Sequence, residues 1–135
     1  MRYPVSTVSP LIRWLIALSW TLLVIILLLK PGDIEVVHEY SFADFFESFF
    51  TYTLSRWGMF EAFVHVILFI ILTTTWFWVL NLYYVKRNVL IIVISIAVAL
   101  GTATEILQYF VNRGSLFIDL LANYLGVLLF IIFKK

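Results

Sequence analysis

The sequence predicts an all-α membrane protein with four transmembrane helices, and three observations lead to this fold class. Of its 135 residues, 64% are hydrophobic and only 13% are charged, whereas soluble domains contain about 25% charged residues. Four apolar runs come close to the roughly 20 residues that a helix needs to cross the hydrocarbon layer. The length suits one domain, so we expect residues 1–135 to form a single multi-pass domain of the cell membrane.

The apolar runs give the helices in order, with one charge in three of them. Arg13 lies near the start of the first run, where a long side chain can reach the interface. That run exceeds the apolar core of about 7–15 residues in a signal peptide, so we expect a retained anchor. Glu105 and Asp119 are the charges of the third run and of the fourth, which is the shortest. The predicted spans are about 11–29, 62–85, 88–112 and 116–133.

We expect residues 30–60 to form a long acidic loop between the first two spans. Five phenylalanines in it follow the i, i+3, i+4, i+7, i+8 spacing of one helix face: Phe42, Phe45, Phe46, Phe49 and Phe50. This pattern predicts an amphipathic interfacial helix at the outer membrane surface. A helix that packs over the bundle as a lid explains the pattern equally well.

Basic residues near the spans predict the orientation, because they concentrate on the cytoplasmic side. Six would lie on one face of the membrane: Arg2, Arg13, Lys86, Arg87, Lys134 and Lys135. The other face would hold three: Lys30, Arg56 and Arg113. We therefore expect both termini in the cytoplasm and the 30–60 loop outside.

Composition excludes several classes of function. The net charge of +1 leaves no excess positive charge for binding nucleic acid. The chain has no cysteine, which excludes disulfides and thiolate metal ligands. Its two histidines, His38 and His65, are few for a transition-metal cage, so we expect no metal and no cofactor.

Polar residues gather in the outer half of spans two to four. An ionisable side chain inside a span costs roughly 2.5–3.5 kcal/mol on insertion scales, so each one needs a reason. At 1.5 Å rise per residue, seven polar residues fall near one level: Glu61, His65, Glu105, Gln108, Arg113, Asp119 and Asn123. Interhelical hydrogen bonding explains Gln108 or Asn123 taken singly, but not the whole cluster. The pattern predicts a polar pocket that opens outward.

The spacing of these residues resembles the motif of the VanZ-like family of small bacterial membrane proteins. That motif reads E-x-x-Q, then an arginine, then D-x-x-x-N-x-x-G, and it matches Glu105, Gln108, Arg113, Asp119, Asn123 and Gly126. Glu61 and His65 fit loosely the acid and histidine of the family's second span. The resemblance covers roughly residues 60–133 and implies a cell-envelope protein, with a link to resistance against the glycopeptide antibiotic teicoplanin. We expect Gly126 to permit close helix approach.

Two functions follow for the cluster. In the first, it binds the head group of a membrane lipid or a lipid-linked cell-wall precursor through His65, Glu105, Gln108, Arg113, Asp119 and Asn123. In the alternative, Glu105 and His65 act as catalytic acid and base of an intramembrane enzyme, although no H-E-x-x-H motif or nucleophile elbow accompanies them. A transporter or scaffold would require a homo-oligomer, and the sequence leaves the oligomeric state open.

Overall fold

The computed structural model describes residues 8–30, 56–110 and 117–134, and these residues form four α-helices. They are α1 (Pro10–Leu28), α2 (Arg56–Leu80), α3 (Lys86–Phe110) and α4 (Phe117–Phe133). No strand occurs within these ranges, so the predicted all-α class is confirmed for them. The phenylalanine stripe of the predicted loop and Arg113 lie outside the described residues. The predicted loop bounds of 30–60 are wrong at the second end, because residues 56–60 already belong to α2.

Three of these helices have the length and composition to cross a membrane. The apolar segments are Pro10–Leu28, Met59–Leu80 and Lys86–Gln108. Helix α4 is also apolar, but its 17 residues extend over only about 25 Å. Large side chains such as Leu22 and Leu128 are more than half exposed on the outside of the bundle, which suits contact with lipid rather than water. The chain is a helical membrane protein by these criteria.

Local sequence explains where α1 begins and ends. The Ser9 hydroxyl accepts a hydrogen bond from the Ile12 amide at 3.3 Å, and Pro10 occupies the first helical position, where its missing N–H costs nothing. The helix ends at Leu28, shortly before Pro31 and Gly32 in the sequence. Both residue types disfavour continuation of a helix.

The predicted second span begins six residues after the start of its helix, Arg56, and extends five residues past the end of that helix. Helix α2 ends at Leu80, and the amides of residues 81–84 bond back to carbonyls of its last turn. Residues 82–85 are apolar, so a count of hydrophobic residues does not reveal that the chain already reverses there. Helix α3 then begins at Lys86, two residues before the predicted span.

Helix α2 lies at the centre of the bundle, and its closest neighbour is α4. The apolar core contains buried residues from all four helices: Val24, Leu28, Leu68, Phe69, Leu72, Ala97 and Val127. Gly126 allows the close approach that the sequence predicts. A Cβ atom at this position would lie 2.6 Å from the Val66 carbonyl oxygen and 2.9 Å from the Phe69 Cβ. Only glycine fits there without a shift of one helix.

The bundle has two chemically different ends. At the first, which we call the Lys86 end, α1 begins, α2 turns into α3 and α4 ends. The Trp14 Nε1 donates a hydrogen bond to the Tyr83 hydroxyl at 3.2 Å, and the Lys134 Nζ lies 3.9 Å from the centre of the Phe77 ring. The opposite end, which we call the His65 end, contains the end of α1 and most of the buried polar side chains.

Arg13, whose side chain is expected to reach the interface, packs against the end of α2. Its side chain is only 6% exposed, and its guanidinium lies 4.7 Å from the centre of the Trp78 ring. The Nη1 also donates to the Trp78 carbonyl oxygen at 3.4 Å. The last four carbonyls of a helix have no intrahelical partner, so Trp78 supplies both an acceptor and an aromatic face.

A titration can test whether the chain reversal after α2 and the end of α4 share the Lys86 end. Burial, and secondly the positive charge of Lys86, lower the pKa of Lys134 below its ordinary value. Both causes disfavour the protonated ammonium, so Lys86→Gln should raise the pKa of Lys134. NMR titration of ¹³C-methylated lysines in detergent micelles measures this, with Lys134→Arg for assignment and Arg87→Gln as the control. An unchanged Lys134 pKa in Lys86→Gln would contradict the arrangement.

Candidate functional site

The polar residues predicted for one site converge at the His65 end, as far as the structure describes them. His65, Glu105, Gln108, Asp119 and Asn123 are each at most 5% exposed. Glu61 is half-buried, and Arg113 lies outside the described residues. Burial of each such group in a membrane bundle costs free energy. Five buried polar side chains from three helices therefore need hydrogen-bond or ionic partners.

Helix periodicity explains how each element presents two of these residues on the same side. Residues three or four positions apart lie one above the other on a helix surface. Helices α3 and α4 are antiparallel, so the polar pair near the end of α3 and the pair near the start of α4 lie at the same end of the bundle. The pairs are Glu61 and His65 on α2, Glu105 and Gln108 on α3, and Asp119 and Asn123 on α4.

A chain of hydrogen bonds links α2, α4 and α3 through Asn123. The His65 Nδ1 lies 2.9 Å from the Asn123 Oδ1, and the Asn123 Nδ2 donates to the Glu105 Oε1 at 3.3 Å. An amide oxygen only accepts, so the His65 Nδ1 must carry the proton of this hydrogen bond. The contact fixes the ring orientation and the tautomer. The Nε2 is then the nitrogen at which His65 can gain a proton or bind an ion.

His65 lies between two buried carboxylates. Its Nε2 is 4.0 Å from the Asp119 Oδ2, and its Nδ1 is 4.0 Å from the Glu105 Oε1. At this distance, in surroundings of low polarity, electrostatic interactions are stronger than in water. The two acids therefore favour positive charge at the imidazole or on a bound cation.

Gln108 contacts α1 rather than the imidazole. Its Nε2 donates to the Leu28 carbonyl oxygen at 3.0 Å, and its Oε1 has no hydrogen-bond partner among the described residues. Leu28 is not among the predicted site residues, because the predicted cluster comes from spans two to four only. A signal for it exists, because the last carbonyls of a helix need partners from outside the helix.

Glu61, His65 and Asp119 form a tighter subset of the cluster. One potential ligand atom from each residue lies within 4.8 Å of those of the other two. This grouping of one imidazole and two carboxylates contains the donor types that bind divalent transition metals. The chemistry available at the site is thus proton transfer, hydrogen bonding and cation binding.

No family model, no curated protein and no solved structure matches the chain. The resemblance to the VanZ-like family therefore stays a prediction from six motif positions. Five of the six motif residues lie in the part of the chain that the structure describes. Glu105, Asp119 and Asn123 lie around His65. Gln108 contacts α1, and Gly126 lies against α2.

Proposed function

We propose that the chain is a four-span protein of the cell membrane that binds the head group of a lipid or a lipid-linked cell-envelope precursor at its outer face. The observation that carries this proposal is the hydrogen-bonded chain from His65 through Asn123 to Glu105, with Asp119 at the other ring nitrogen. It gathers donors and acceptors from three helices at one end of an otherwise apolar bundle.

The packing of α4 along α2 supports its role as the fourth span. Asn123 contacts His65 at one end of the pair, while the Phe130 and Phe77 ring centres lie 5.7 Å apart near the other. His65 and Phe77 are separated by about 18 Å of helix. Helix α4 thus accompanies a helix long enough to cross a membrane over much of its length.

The distribution of basic residues supports cytoplasmic termini. Arg13, Lys86 and Lys134 share the Lys86 end of the bundle, and such residues concentrate on the cytoplasmic side of membrane proteins. With the Lys86 end inside, the His65 end faces outward. Its polar cluster then lies at the level of the outer head groups.

The chemistry of the cluster suits a head group with phosphate and hydroxyl groups. Carboxylates accept hydrogen bonds from hydroxyls, and Arg113, which the motif includes, would pair with phosphate or carboxylate. Glu61 is the half-buried member and marks the side from which a head group enters. The VanZ-like motif supports the same role in the cell envelope, and a link to teicoplanin resistance belongs to this proposal.

A binding assay with the purified protein in lipid nanodiscs tests this function. The probes are a short-chain polyprenyl diphosphate and a fluorescent teicoplanin derivative. We expect Arg113→Ala and Glu105→Gln to weaken binding of at least one probe by tenfold or more. The first removes the positive charge proposed to pair with phosphate or carboxylate, and the second removes a carboxylate proposed to accept from hydroxyls. Arg87→Ala, which removes a charge at the Lys86 end, should bind like the wild type. Unchanged affinity in both site variants would refute the proposal.

The fixed tautomer of His65 favours one second candidate, an intramembrane enzyme that uses Glu105 and His65 as acid and base. With the Nδ1 proton held by Asn123, the Nε2 faces Asp119 and is placed for proton transfer. Mass spectrometry of the lipid recovered from the same assay separates the two functions. A product that forms with wild type and His38→Gln but not with His65→Gln would favour the enzyme, whereas unaltered lipid would favour binding.

A further inference from the structure

Glu61, His65 and Asp119 have the geometry of a metal-binding triad. Their ligand atoms lie within 4.8 Å of one another. In a tetrahedral zinc site, with bonds of about 2.0–2.2 Å, neighbouring donor atoms are about 3.4 Å apart. Small side-chain rotations therefore bring the three donors to bonding distance. We infer that these residues bind a divalent transition-metal ion, with Zn²⁺ the best match to one imidazole and two carboxylates.

The orientation of His65 is that of a metal ligand. A metal-bound histidine usually donates its second ring N–H to a neighbouring acceptor, which fixes the ring and presents the other nitrogen to the ion. Here the Nδ1 bonds to the Asn123 Oδ1 at 2.9 Å, and the Nε2 lies 4.0 Å from the Asp119 Oδ2. Glu105 accepts from the Asn123 amide and holds it in place. The outer hydrogen bonds of a metal site are thus already formed.

The charges of the triad also match a divalent ion. Glu61 and Asp119 contribute two negative charges and a neutral imidazole adds none, so Zn²⁺ balances its three ligands. Glu105, 4.0 Å from the His65 Nδ1, adds a further negative charge that favours a cation there. Burial of charges in a membrane bundle is far less costly when they neutralise one another. Three protein ligands leave a fourth tetrahedral position for water or another small ligand, and half-buried Glu61 places that position toward the surface. The site does not depend on the proposed head-group function.

A titration of the full-length protein with Zn²⁺ alone tests the inference. All variants carry His38→Ala, so His65 is the only histidine. In detergent micelles, after removal of bound metal by a chelator, we expect one Zn²⁺ per chain. Glu61→Gln and Asp119→Asn should weaken binding 100-fold or more, and Asn123→Ala by 10–100-fold because it removes the outer hydrogen bond. Glu35→Gln, in the 30–60 loop, is the matched control and should bind normally.

A spectroscopic measurement keeps the test decisive if a site variant fails to fold. Protein with only His65 is loaded with Mn²⁺, and electron spin echo modulation then detects nitrogen bound to the ion. We expect coupling from one imidazole nitrogen. Absence of stoichiometric metal binding, equal binding in all variants, or bound Mn²⁺ without nitrogen coupling would each overturn the site.

Discussion

Gly126→Ala should destabilise the bundle by about 3 kcal/mol, although alanine is the better helix former. The new Cβ would lie 2.6 Å from the Val66 carbonyl oxygen and 2.9 Å from the Phe69 Cβ. These atoms belong to or adjoin the backbone of α2, so relief requires α2 and α4 to separate. Overpacking of this kind costs about 1–3 kcal/mol, and separation of the helices would also loosen contacts along their whole interface. The helix-propensity gain of about 1 kcal/mol is smaller.

Gly101→Ala is the matched control for this prediction. Its Cβ would meet the Phe69 ring at 3.2 Å and 3.3 Å and the Asn123 Cβ at 3.4 Å. An aromatic ring can move by a few tenths of an ångström, so we expect a clearly smaller loss. Unfolding in mixed micelles of increasing SDS content, followed by tryptophan fluorescence, gives both free energies. A Gly126→Ala variant as stable as wild type would show that the helices are not in such close contact.

Much of the site could be predicted because it depends on spacing within single helices. The i, i+4 relation of Asp119 to Asn123 holds in any α-helix. Counting from the ends of the apolar runs predicts Glu105 and Asp119 in the same half of the bundle, and the structure brings both within 4.0 Å of His65. These predictions needed no knowledge of how the helices pack.

The remainder depends on the rotation of each helix about its axis, which hydrophobicity does not determine. Gln108 shares a face with Glu105, yet the packing of α1 brings the Leu28 carbonyl to it. The position of Arg13 near the start of the first span was evident from the sequence, but its contact with the Trp78 ring depends on the orientation of α2. Nor does a count of apolar residues mark the chain reversal after Leu80. Contacts between helices that are distant in sequence are what the sequence alone does not specify.

The polar cluster differs from an ordinary means of joining helices. Interhelical hydrogen bonds in membrane proteins contribute about 0.6 kcal/mol each on average, and well-packed apolar residues often replace buried polar groups without loss of stability. Burial of Glu105, Asp119 and His65 together therefore adds little stability to a bundle relative to the desolvation free energy that it costs. This cost favours a site that binds or reacts over a purely structural network.

Asn123→Leu should destabilise the protein by about 2 kcal/mol, close to the largest effects measured for single polar contacts in membrane proteins. Leucine branches at the same atom as asparagine, is somewhat larger and suits an apolar bundle, so the loss would not come from a cavity. The substitution removes the acceptor of the His65 Nδ1–H and the amide donor to the Glu105 carboxylate. A buried polar group that loses its hydrogen-bond partner destabilises the protein, because its desolvation free energy is no longer offset. The effect is larger for a charged group.

A double-mutant cycle with His65→Leu isolates the contact between the two side chains. Once both partners are apolar, no imidazole N–H is left facing a leucine, so the second substitution should cost less than it does alone. We expect a coupling free energy of about 1 kcal/mol or more. Thr102→Val is the control, because it removes a half-buried hydrogen bond of 2.8 Å from α3 to the Tyr124 hydroxyl of α4, the helix that also contains Asn123. Equal losses in Asn123→Leu and Thr102→Val, with no coupling to His65, would mean that Asn123 is one interhelical contact among several and does not organise the site.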